Sequence, residues 1–176
     1  MKITTLDIEG VFLIEKTFRH DERGYFARFY CENEFREAGI EMDIKQINLC
    51  ENKEKGTLRG MHFQSGEYAE DKVVSCNRGS IYDVCVDVRP DSSTYLKYCA
   101  YELSEDNGRM LYIPKGCAHG YVTLTDDVQL LYLMSEFYVP ESARGYRYDD
   151  PAFGIKWPIN ENLIISLKDS QWDYIK

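Results

Sequence analysis

Gly24, Gly56, Gly66, Gly79, Gly108, Gly116 and Gly145 cut this chain into short segments, and that cadence constrains the fold more than any other feature. Short runs of strand-forming residues bounded by turn glycines are the pattern of an all-β barrel or sandwich. Ile81–Val88 alternates with a period of two: Tyr82, Val84, Val86 and Val88 share one face, and Ile81, Asp83, Cys85 and Asp87 the other. On a barrel strand those two carboxylates face either solvent or a polar lumen. Val128–Met134 is a second strand of nearly continuous apolar character. One helix is expected around Cys31–Ala38, with Asn33 as N-cap and Gly39 as stop signal. No repeat, low-complexity stretch or linker interrupts the chain, so residues 1–176 read as a single all-β domain with one or two short helices.

Aromatic residues make up 14% of the chain, which favours β-structure and a ring-lined pocket. A net charge of −9 without a basic run makes nucleic acid and anionic membrane poor partners. No apolar stretch approaches the ~18 residues of a membrane span. Met1–Ile14 carries Asp7 and Glu9 and does not match a signal peptide. Cysteines at 31, 50, 76, 85, 99 and 117 include no Cys-x-x-Cys pair. They are therefore expected to be free, mostly buried thiols in a reducing cytoplasm.

Two stretches join a histidine to glycine and charged neighbours: Leu58-Arg59-Gly60-Met61-His62-Phe63-Gln64 and Ile113-Pro114-Lys115-Gly116-Cys117-Ala118-His119-Gly120. Pro114-x-Gly116-x-x-His119 resembles the second motif of the cupin superfamily, and the resemblance implies a jelly-roll β-barrel. The first cupin motif supplies two histidines and a glutamate as metal ligands. Here Lys72, separated from Gly79 by six residues, stands at the glutamate's place, and no histidine falls at the paired positions. With three histidines in all and a cation at a ligand position, a divalent metal would be under-coordinated and repelled. No metal and no cofactor are expected.

Further blocks extend the pattern: Asp21-Glu22-Arg23-Gly24-Tyr25-Phe26, Arg78-Gly79-Ser80-Ile81-Tyr82-Asp83-Val84, Val86-Asp87-Val88-Arg89, His119-Gly120-Tyr121-Val122, Asp149-Asp150-Pro151, Gly154-Ile155-Lys156-Trp157-Pro158 and Ser166-Leu167-Lys168-Asp169. In this order, from about Phe18 to Asp169, the chain resembles the dTDP-4-dehydrorhamnose 3,5-epimerase family. The resemblance implies epimerisation at C3, C5 or both of a nucleotide-linked 4-keto-6-deoxyhexose, in deoxysugar or surface-polysaccharide synthesis. It also implies a homodimer whose N-terminal strand region crosses to the partner and shares pocket residues.

Inverting a carbon beside a ketone needs a base on one face, a stabiliser for the enolate oxygen and an acid on the other face. The resemblance assigns these roles to His62 as base, Asp169 as its orienting carboxylate, Lys72 at the C4 oxygen and Tyr132 as proton donor. His119 and Asp83 correspond to a second His–Asp pair supporting the pocket; a purely structural contact between two strands is the other reading. Arg23 and Arg59 correspond to diphosphate-binding positions, suited to bidentate contacts. Gln46 and Asn48 correspond to pocket-lining residues and Tyr138 to the aromatic that stacks on the base. Asp169 also suits an N-cap.

Three residues depart from the family pattern: Arg28 and Ala143 stand where glutamates are usual, and Leu133 where a lysine is frequent. A glutamate at 28 could accept from thymine N3–H, whereas arginine only donates. Arg28 as a base-reading residue therefore suggests a CDP- or GDP-linked sugar as an alternative substrate. A non-catalytic sugar-nucleotide-binding cupin is the competing class, although binding alone needs no opposed acid and base.

Overall fold

Fourteen strands and two short α-helices, with two single 3-10 turns, order the described residues, 1–175, of the computed structural model. In chain order these are β1 (Lys2–Thr5), β2 (Phe12–Glu15), β3 (Phe18–Asp21), β4 (Gly24–Ala27), α1 (Glu32–Glu37), β5 (Gln46–Asn52), β6 (Thr57–Gln64) and β7 (Lys72–Arg78). There follow β8 (Ser80–Asp87), β9 (Tyr98–Ser104), β10 (Arg109–Ile113), β11 (Cys117–Thr123), β12 (Val128–Met134), β13 (Ala143–Gly145), β14 (Ile164–Ile165) and α2 (Leu167–Ser170). One sheet runs β1-β2-β10-β7-β12-β5 and the other β13-β6-β11-β8-β9, with β14 beside β6; β3 and β4 form a separate hairpin. Neighbours distant in sequence, such as β2 with β10 and β5 with β12, wrap the chain into a jelly-roll barrel.

The facing sides of the two sheets supply the lumen core, where Val74, Cys76, Ile81, Cys85, Leu111, Tyr121 and Leu130 pack together. Each sheet is also covered outside. Phe35 of α1, with Ile40 and Met42, packs on Val73, Met110 and Leu133, while Phe153 covers Met61, Val84 and Val86. This double coverage explains why β12 reads as almost continuously apolar. It also settles the two carboxylates of β8, which are fully buried on the inward side and not in solvent. Asp87 is structural: it accepts from Arg89, Ser92 and Thr94. Burial opposes its charge, but these donors hold its carboxyl down to about 2.

The helix differs from expectation at its start. Cys31, in extended conformation, is the N-cap residue and makes no side-chain cap bond; Asn33 lies inside the first turn. Gly39 follows the C-cap Ala38 with φ of +83° and ends the helix as expected. All six cysteines are free, with Cys76, Cys85 and Cys117 buried. Burial pushes the Cys76 thiol up to about 12. No helix among the described residues is long and apolar enough to cross a membrane.

Gly60 and Gly120, which flank the two motif histidines, have a packing reason. A Cβ on Gly60 would meet Gly120 Cα at 2.5 Å, and one on Gly120 would meet Met61 Sδ at 2.6 Å. Strands β6 and β11 therefore approach as only glycine permits, with His62 directly opposite His119.

Candidate active site

His62 and Asp169 are brought together across 107 residues of sequence by β6 and α2. Ser166 caps α2 by accepting from the Asp169 backbone N–H at 3.1 Å. Asp169 is thus not the cap itself, and its carboxylate turns to the barrel. Its Oδ1 lies 2.7 Å from His62 Nε2, and its Oδ2 accepts from Gly60 N–H at 3.4 Å. The histidine side chain is 43% exposed and the aspartate 6%, so an open ring rests on a covered carboxylate. Burial opposes the charge on Asp169, but the hydrogen bond and charge of His62 and the Gly60 N–H hold its carboxyl below the ordinary value. Trp172 stands edge-on to the imidazole at 6.3 Å, packed on Gly145, where any Cβ would strike the indole.

Lys72 opens β7 opposite Met134 of β12 and is buried. Its Nζ contacts Glu70 Oε1 at 2.6 Å and donates to the His62 carbonyl at 3.4 Å. His62, Asp169, Lys72, Gln46, Asn48 and Tyr138 all line one open cavity of about 580 Å³ at the barrel mouth. Gln46 accepts from the Tyr138 N–H, which anchors an otherwise exposed ring at the rim.

Tyr132, His119 and Asp83 form the next layer inward. Tyr132 sits two residues before Met134 on the same side of β12, opposite Asn48. Its ring meets His119 edge-on at 6.0 Å, and His119 Nε2 lies 2.6 Å from Asp83 Oδ1. Burial pushes the Asp83 carboxyl above its usual value despite His119. Burial, with Tyr121, Cys50 and Asp83 nearby, pushes the Tyr132 phenol well above the usual tyrosine range. Arg59 donates to Asn52 Oδ1 at 2.9 Å and lines a smaller cavity of about 420 Å³ that also reaches His62 and Asp169.

Two expected site residues lie elsewhere. Arg23 is at the tip of the β3–β4 hairpin, paired with Asp21 at 2.6 Å. Arg28 is bound by Glu34 at 2.5 Å, and the pair lines a small separate cavity with Arg19 and Phe26. Neither arginine lines the mouth cavity or the cavity beside Arg59. Within one chain the Arg28 guanidinium is engaged by a carboxylate and not by a group of either of those cavities.

Glu70, Arg144, Lys168 and Trp172 also line the mouth cavity and were not singled out from sequence. Glu70 lies two residues before Lys72, in the irregular segment that leads into β7. Among the described residues, no three His, Cys, Asp or Glu side chains gather in a way that could hold a metal ion.

A jelly-roll barrel with a His–carboxylate pair and a buried lysine at its mouth has the form of a cupin-type enzyme. Comparison narrows the class. The family model for dTDP-4-dehydrorhamnose 3,5-epimerase matches residues 5–176. The enzyme of that name from Sinorhizobium fredii is 41% identical over 97% of this chain and 87% of its own length. The crystal structure of the Bacillus anthracis enzyme, with TDP and PPi bound, superposes with a TM-score of 0.95 at 34% identity, covering 99% of each chain. The Legionella pneumophila epimerase in complex with dTDP-4-keto-L-rhamnose gives 0.93 at 34% identity, covering 98% of this chain and 92% of that one. The chain belongs to the dTDP-4-dehydrorhamnose 3,5-epimerase family of carbohydrate epimerases.

Proposed function

We propose that this protein, acting as one domain in the cytoplasm, epimerises a dTDP-linked 4-keto-6-deoxyhexose next to its ketone. The observation that carries this reading is the 2.7 Å contact between His62 Nε2 and Asp169 Oδ1, in the same cavity as Lys72. His62 removes the proton from the carbon beside the ketone. The C–H electron pair becomes the enolate double bond and the carbonyl pair moves to oxygen. Lys72, with an ammonium N–H still free, stabilises that oxygen. Asp169 stabilises the imidazolium as it forms. Tyr132 returns a proton from the opposite face, its phenol being protonated at neutral pH. His119 and Asp83 support Tyr132 from behind, Arg59 takes the diphosphate, Gln46 and Asn48 line the sugar and nucleotide path, and Tyr138 stacks on the base.

The reading is tested by solvent deuterium exchange with dTDP-, CDP- and GDP-linked 4-keto-6-deoxyglucose side by side. The dTDP sugar should exchange with a specificity constant at least about tenfold above the others, the discrimination a mismatched polar contact provides. Better turnover of the CDP or GDP sugar would restore the alternative base. No exchange with any of them would favour a binding protein.

A homodimer belongs to the same proposal. Tyr25 and Phe26 on the β3–β4 hairpin are 63% and 68% exposed, and Ile47 and Leu49 on the edge strand β5 are 60% and 63% exposed. Rings on a detached hairpin and an apolar sheet edge beside the cavity suit a second copy. The hairpin would then bring Arg23 and Arg28 to the neighbour's site. Light scattering at micromolar concentration should give twice the chain mass, and Ile47→Asp with Leu49→Asp should halve it. A monomeric wild type would overturn the dimer.

A further inference from the structure

Glu70 is 5% exposed, lines the mouth cavity, and uses only one of its two carboxylate oxygens. Oε1 holds Lys72 Nζ at 2.6 Å, while Oε2 is buried without any partner among the described residues. A buried carboxylate oxygen left unpaired is costly unless something supplies the missing donor. The side chain is also fixed in place. Asp71 N–H donates to Ser135 Oγ at 2.7 Å and Ser135 N–H donates back to the Asp71 carbonyl at 3.0 Å, which clamps the segment entering β7. Glu70 and Lys72 then project to the same side, two residues apart.

The valences can be counted. The Lys72 ammonium has three N–H groups; Glu70 takes one and the His62 carbonyl another, leaving one open. The adjoining Glu70 oxygen is a buried acceptor without a partner among the described residues. One spare donor beside one unpaired acceptor matches a ligand carrying a carbonyl oxygen next to a hydroxyl. A phosphate would meet repulsion from the carboxylate, and an isolated ketone would leave Oε2 empty. Asp169, the other carboxylate named in this cavity, already has both oxygens engaged by His62 and Gly60.

We propose that Glu70 is a specificity-determining residue that, together with Lys72, reads an α-hydroxyketone: Lys72 donates to the ketone oxygen and Glu70 Oε2 accepts from the hydroxyl on the adjacent carbon. The inference rests on the epimerase reading and sharpens it. In a 4-keto-6-deoxyhexose the only hydroxyl-bearing neighbour of the ketone is C3, so Glu70 selects substrates that carry the C3 hydroxyl.

The test is a substrate–mutant cycle that follows deuterium exchange at C5 of dTDP-4-keto-6-deoxyglucose and of its 3-deoxy analogue. Wild type, Glu70→Gln and Glu70→Ala are compared, with circular dichroism to establish folding. Disturbance of Lys72 affects both substrates alike and cancels in the cycle. The loss in kcat/KM on the hydroxylated sugar should exceed the loss on the 3-deoxy sugar by about tenfold or more for Glu70→Ala, the scale of a charge-assisted hydrogen bond. Glu70→Gln, isosteric and still offering an oxygen, should show the same bias to a smaller degree and decides the matter if the alanine variant does not fold. Equal losses on the two sugars would overturn the proposal and leave Glu70 as a holder of Lys72. A wild type that exchanges neither sugar would remove the epimerase reading, and this inference with it.

Discussion

Replacing His62 with alanine is expected to abolish exchange of the substrate's α-proton, with a rate loss of at least ~10² to 10⁴, the usual contribution of a positioned general base. The expectation follows from geometry. His62 is the one cavity-lining group that combines a half-open imidazole with a buried carboxylate at 2.7 Å, and that carboxylate is held in its charged form. Since Asp169 is fixed by α2 and Gly60, it keeps its place when the imidazole is removed. Loss of exchange would therefore report on the base and not on a collapsed pocket. Exchange by deuterium wash-in, with binding of dTDP measured separately, distinguishes the two. An alanine variant that exchanges at near wild-type rate would assign the base to another residue.

The sequence made some of this arrangement visible and hid the rest for physical reasons. Strand β12 spans the Val128–Met134 run without change, because a run bounded by turn residues and buried on both sides leaves little freedom. Strand β8 was legible through its alternation, but not the fate of its carboxylates, since alternation says which side chains share a face and not what covers that face. Asp83 lies against His119 of the neighbouring strand, a contact that depends on how the sheet assembles, whereas Asp87 meets Arg89 only two residues on. The pairing of His62 with Asp169 spans 107 residues and has no local signature; family resemblance suggested it where periodicity could not. For Arg28 the sequence offered only the chemistry of the side chain; its ion pair with Glu34, six residues later in α1, appears only in the fold. Glu70 went unnoticed because an acidic residue in a loop is ordinarily solvated; only its burial beside Lys72 makes it unusual. The Asn33 cap failed for a similar reason, as the backbone at Cys31 turns two residues earlier than side-chain preference suggests.

Tyr132→Phe should separate two steps that His62→Ala removes together. The tyrosine ring packs with the lumen core and meets His119 edge-on, so phenylalanine keeps those contacts and the barrel should fold normally. The base, its carboxylate and Lys72 are untouched, so proton abstraction and enolate formation continue. What is lost is the O–H of a β12 residue that stands directly opposite Asn48 of β5. Like any tyrosine, that phenol is protonated at neutral pH, and burial tightens its hold on the proton; in the proposed mechanism it donates to the face opposite His62. Without it the enolate can be reprotonated only from the side it came from, and the sugar returns with its original configuration but carrying solvent deuterium. Exchange should thus stay within about tenfold of wild type while formation of the inverted product falls by ~10² or more, the range for loss of a general acid. The measurement is a parallel assay of deuterium content by mass spectrometry and of configuration by NMR on the same samples. If exchange and inversion decline by the same factor, Tyr132 does not supply the second proton, and the acid must be sought among the other groups of the inner layer, with His119 first.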